Sequence, residues 1–144
     1  MAASQHRMRT LRSLDELADL VKARPGLHLR YSQGPRHDTG RASSDYESGL
    51  ELPGLSVTVL DPERWWTRPC EDWLARQVCK YADLGEGPDG RRPWVLTGRV
   101  VARGPDHEPL MVDVLPVAWL DEQVVRQARQ RYHERFEVGR DSTS

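Results

Sequence analysis

Asp45–Trp66 reads DYESGLELPGLSVTVLDPERWW, and its second half decides the fold. Pro53-Gly54 marks a turn. Leu55 to Leu60 then reads as a strand, with Leu55, Val57 and Val59 on one face and Ser56, Thr58 and Leu60 on the other. Asp61-Pro62-Glu63 has the form of a helix start, an acidic cap followed by proline in the first turn. Trp65 and Trp66 are therefore expected in a short helical turn, wedged between this strand and whatever follows.

Upstream, Ser13-Leu14-Asp15-Glu16 is a capping box, and Leu14, Leu17, Leu20 and Val21 continue at helical spacing. Pro25-Gly26 ends that helix near Arg24. Leu27 to Ser32 alternates with period two, placing Leu27, Leu29 and Tyr31 on one face and His28, Arg30 and Ser32 on the other. Residues 33–48 are too polar to bury and read as a long loop. Downstream, a helix starting at Pro69 carries Trp73, Leu74, Gln77, Val78 and Tyr81 at helical spacing. Pro93–Arg103 and Leu110–Val117 read as an antiparallel hairpin, and a last helix runs from Trp119 or Leu120 to about Glu137. The expected fold is α+β: one domain over residues 11–137, a small, mainly antiparallel sheet with about three helices packed on it, and flexible termini at 1–10 and 138–144.

With 144 residues and a net charge of −1, the chain is one domain in size and electrically balanced. Its arginines form no basic stripe, so nucleic acid is not an expected partner. No apolar run approaches membrane-spanning length and no signal-like segment opens the chain, so no membrane is expected. Cys70 and Cys79 lie on one helix, about 13 Å apart along its axis, too far to bridge. Two free thiols suit the cytoplasm. No cysteine–histidine cluster has metal-ligand spacing, so no metal site is expected. No phosphate-binding glycine loop or hydrolase elbow is present, and no cofactor is assigned.

Two groups of residues stand out. Arg30 sits on a strand whose outward neighbours are polar, a position from which a guanidinium can grip a phosphate or carboxylate. Ser32, Asp38, Asp45, Ser56 and Glu108 are expected to surround it and form a ligand pocket between the Arg30 strand, the 33–48 loop and the Ser56 strand. Trp65, Trp66 and Arg68 form the second group. Adjacent tryptophans point in different directions, so one can stay exposed for a partner while the other is core. His37 beside Asp38, and His107 between Asp106 and Glu108, could bind a metal or do acid–base work if their loops met, although independent, solvated loop residues are the expectation.

The arginine on one strand, serine on a later one and glutamate beyond faintly resemble ADP-ribosyltransferase-like folds, although the serine–threonine–serine strand and the paired glutamates of that pattern are missing. More extensively, LRYSQGP at 29–35, LPGLSV at 52–57, Trp65-Trp66, Arg68-Pro69, DWLARQ at 72–77, RPWVL at 92–96 and GPDHEPL at 104–110 resemble a family of small actinobacterial proteins, a domain of unknown function. That resemblance runs from about Leu11 to Tyr132 and implies no activity. The expected function is a non-catalytic binding or accessory module for a small ligand or a protein partner. The alternative is a small transferase or hydrolase acting on a nucleotide-like substrate, with Arg30 as anion clamp and Glu108 or Asp38 as base.

Overall fold

The computed structural model describes residues 8–38, 53–87 and 90–137. The element order is β1 (Arg9–Leu11), α1 (Leu14–Ala23), β2 (His28–Ser32), the single turn α2 (Pro35–Asp38), β3 (Leu55–Ser56), β4 (Thr58–Val59), α3 (Cys70–Cys79), a 3₁₀ turn (Ala82–Glu86), β5 (Arg92–Arg103), β6 (Pro109–Leu120) and α4 (Glu122–Tyr132). A wider helical turn, His133–Glu137, follows α4.

The fold is α+β, but the sheet is mixed rather than mainly antiparallel. β1 runs parallel to β6, pairing Arg9 with Ala118 and Leu11 with Leu120. The remaining order, β6–β5–β2–β4, is antiparallel. Three residues of β1 carry no readable periodicity, and the polarity around them conceals the strand.

The 55–60 segment departs from simple alternation. β3 pairs with β6, Leu55 opposite Met111 and Ser56 opposite Leu110. β4 pairs instead with β2, Thr58 opposite Leu29 and Val59 opposite His28. The change of partner falls at Val57, whose N–H reaches the Pro109 carbonyl at 3.0 Å. Five residues thus bridge β6 to β2 and curl the sheet into a ring. Val57 and Thr58 are both buried, and the expected alternation fails there because each half of the segment serves a different neighbour. The long β5–β6 hairpin bends with it through three register shifts. At Gly98 a Cβ would lie 2.7 Å from the Val112 carbonyl, so glycine is required where the strands close up.

Two apolar clusters result. The larger one lies between the sheet and the helices, with Leu17, Leu29, Leu74, Val78, Val95 and Val124 among its buried members. The smaller one fills the curl: Val57, Trp94, Leu96 and Met111. Polar ties hold the layers in register. Tyr31 donates its hydroxyl to the Val78 carbonyl at 2.8 Å, Gln77 its amide to the Val59 carbonyl at 2.7 Å, and the Gln127 side-chain carbonyl accepts from Leu14 N–H at 2.8 Å.

Ser13 caps α1 as expected, its hydroxyl accepting from Glu16 N–H at 3.1 Å. Glu16 returns one residue further back, to Arg12 N–H. Asp61 begins no helix. Its carboxylate accepts from Gly26 N–H at 2.8 Å and ties the first turn to the fourth strand. The tryptophan pair accordingly lies in a turn closed by Trp66 N–H on the Glu63 carbonyl, not in a helical one. Trp119 and Leu120 belong to β6, not to the last helix, because pairing with β1 extends the strand to Leu120.

Candidate functional site

Arg30, Ser32 and Asp38 meet under the α2 turn. Arg30 donates through Nε to Asp38 Oδ2 at 2.7 Å and through Nη1 to the Ser56 carbonyl at 2.9 Å. Ser32 donates its hydroxyl proton to the same Asp38 oxygen. Its Oγ accepts from Trp94 Nε1 at 2.9 Å and from Gly34 N–H at 3.0 Å, so both lone pairs and the proton are committed. Gly34 has φ +117°, and a Cβ there would lie 2.8 Å from the Trp119 ring. On that ring Arg92 stacks with its guanidinium carbon 3.9 Å from the centroid.

Burial alone would raise the Asp38 carboxyl, but the bonds from Arg30 and Ser32 and the charge of Arg30 outweigh it and hold it below its ordinary value of 3.8. The unfolded chain therefore takes up this proton first as pH falls. The stabilisation is complete above about pH 3.8 and lost as pH drops through the lower, folded value. Asp38→Asn is expected to cost about 2 kcal/mol at neutral pH. Urea midpoints measured down to about pH 2 should converge for the two proteins; a gap that stays constant with pH would refute the assignment.

Of the other residues expected around Arg30, Ser56 contributes its backbone carbonyl. Asp45 lies outside the described residues. Glu108 sits in the β5–β6 turn with its carboxylate folded over Gly104, where an added Cβ would overlap it. Its Oε1 is buried without a hydrogen-bond partner. Among the described residues, no three His, Cys, Asp or Glu side chains come together as a metal site. No helix among them is long and apolar enough to cross a membrane.

The tryptophan pair lies at the other surface, beside the helices. Trp65, Trp66 and Trp73 pack edge to face, with centroids 5.2–6.1 Å apart. Trp73 is buried, Trp66 half-buried and Trp65 65% exposed. Trp66 Nε1 donates to the Pro69 carbonyl at 3.1 Å, which fixes its ring. Arg68 lies 4.3 Å from the Phe136 centroid and 5.9 Å from Trp66; Arg76 lies 5.3 Å from Trp66 and 5.6 Å from Trp73.

Beneath them Asp72, 2% exposed, accepts from Arg131 Nε at 2.6 Å. Arg68 and Arg135 approach the same carboxylate at 3.5 and 3.8 Å. Sequence reading missed this node. An aspartate in a helix's first turn looks like a partner of the helix dipole alone, and two of its arginines lie some 60 residues away.

Residues 4–143 match a family of unknown function, DUF6098. The chain belongs to that family. No curated protein and no solved structure matches it. Membership in DUF6098 carries no activity with it, so a functional reading has to rest on these two clusters of side chains.

Proposed function

We propose that this DUF6098 protein is a non-catalytic accessory module of the cytoplasm that holds a protein partner on the face formed by Trp65, Trp66 and Arg68. The observation that carries this reading is Trp65. Its indole is mostly exposed, yet it is braced edge-on by Trp66 and Trp73. Exposed indoles held rigid lose little entropy on binding, and tryptophan and arginine dominate interface energetics.

Two further observations support it. The Arg30–Ser32–Asp38 group is bonded inward, to Trp94 and to the Ser56 carbonyl, so a ligand competing for it would have to break bonds that support the ring. Burial pushes the Cys70 thiol above its ordinary range, which makes it a weak nucleophile at neutral pH.

Trp65→Ala tests the reading. Stability should stay within about 0.5 kcal/mol of the parent, as for most surface changes. Affinity for a partner identified by crosslinking in cells should fall by about 2 kcal/mol, roughly thirtyfold. A partner that binds both proteins equally, measured by calorimetry, would refute it.

A further inference from the structure

Between α3 and α4 runs a half-open groove of about 330 Å³, bounded by Arg76, Gln77, Cys79 and Lys80 on one side and Tyr132 on the other. Gln77 turns its amide inward to Val59. Arg76 and Lys80 lie one helical turn apart, and among the described residues no carboxylate is bonded to either. Other cations of the helical layer are compensated: Arg129 by Asp83 and Glu86, Arg131 by Asp72, Lys22 by Glu71. Two cations with no bonded carboxylate among the described residues, set in a concave wall, favour an anion there. It is also continuous with the tryptophan face, because the Arg76 guanidinium is the one that lies over Trp66 and Trp73.

The sign of the charge calls for an anion, and the adjoining indoles select its kind. Lys80 follows directly on Cys79, the last residue of α3, where carbonyl dipoles present a partial negative charge. That field weakens the hold on any anion alike, and it is the continuity with the tryptophan face that assigns the anion to a protein partner. We propose that the groove receives side-chain carboxylates of an acidic segment in the partner seated on Trp65. The inference rests on the reading of the tryptophan face and adds the partner's chemistry: an apolar anchor for the indole, with acidic residues beside it.

The test uses the full chain and a short fluorescein-labelled peptide of alternating glutamate and leucine, followed by fluorescence anisotropy. Binding is expected, weakening with salt, and absent for the same peptide with glutamine in place of glutamate. Lys80→Glu and Arg76→Gln, each checked for an unchanged melting curve, should each weaken it about tenfold or more. Equal binding of the glutamine peptide would overturn the proposal. So would indifference to both substitutions, or no binding at about 1 mM peptide. Displacement by inorganic phosphate at an ionic strength where chloride has no effect would also overturn it, in favour of a phosphate site. Trp65→Ala separates the two claims. Loss with that variant alone removes the groove and keeps the tryptophan face; loss with the charge variants alone does the reverse.

Discussion

Replacing Trp94 with alanine is expected to cost about 4 kcal/mol, the range for deleting a large aromatic from a core, where a cavity remains after the transfer free energy is lost. Trp94 is fully buried in the smaller cluster, between Arg30 on β2 and Trp119 on β6. It is the largest of the fully buried side chains, and the three buried neighbours in its cluster, Val57, Leu96 and Met111, cannot fill the space without moving the strands that carry them. The indole also donates to Ser32, which in turn binds Asp38 and so orients Arg30. Trp94→Phe keeps most of the volume and drops the N–H, and should cost about 2 kcal/mol. Urea denaturation followed by circular dichroism reads both, as midpoint shifts at constant slope. At this chain length the alanine variant should melt roughly 10 °C or more below the parent. A loss under about 1 kcal/mol for Trp94→Ala would mean that the ring does not depend on its filling.

The elements with enough length to show a period were legible from the residues. α1, β2, α3 and the β5–β6 hairpin each present several apolar side chains at regular spacing, and burial follows that spacing at Leu14, Leu17 and Val21 and at Leu29 and Tyr31. The curl was not legible. It depends on Leu55–Ser56 choosing β6 and Thr58–Val59 choosing β2, and hydrogen-bond partners far away in sequence leave no trace in a six-residue pattern. β1 is hidden for the same reason: its pairing with Ala118–Leu120 is a tertiary fact.

The polar residues show a similar division. Arg30, Ser32 and Asp38 could be singled out because strand alternation puts Arg30 and Ser32 on one face, with Asp38 in the turn that follows. That their bonds point to each other and to Trp94 follows only from the position of the α2 turn. Trp65 and Trp66 were conspicuous as a doubled indole. The groove at Arg76 and Lys80 was not, since two cations one turn apart on a charged helix look like any solvated face until Tyr132 of α4 closes the other side.

The second large effect concerns that helical layer. Asp72→Ala is expected to destabilise the protein by about 3 kcal/mol, since removing one partner of a buried ion pair leaves the other charge uncompensated. The loss belongs mainly to Arg131, whose side chain is 28% exposed and bonds Asp72 at 2.6 Å. Arg68 and Arg135 are more open to water and more distant, and their share is largely screened. Because the main pair is shielded from solvent, the loss should persist at high salt, where an exposed pair would fade. Asp72→Asn keeps an acceptor for Arg131 and should cost clearly less. Combining Asp72→Ala with Arg131→Ala should cost less than the sum of the two single changes, and that difference measures the coupling. The effect should also reach the tryptophan face. Asp72 ties the start of α3 to the end of α4, and the adjoining turn holds Phe136 under Arg68 while the Arg135 carbonyl accepts from the Arg68 guanidinium at 3.2 Å. Hydrogen exchange should therefore quicken at the end of α4 before the sheet opens, and affinity for the partner proposed for the tryptophan face should fall although Trp65, Trp66 and Arg68 are unchanged. Full additivity with Arg131→Ala, or unaltered exchange in α4, would show that the pair pins neither helix.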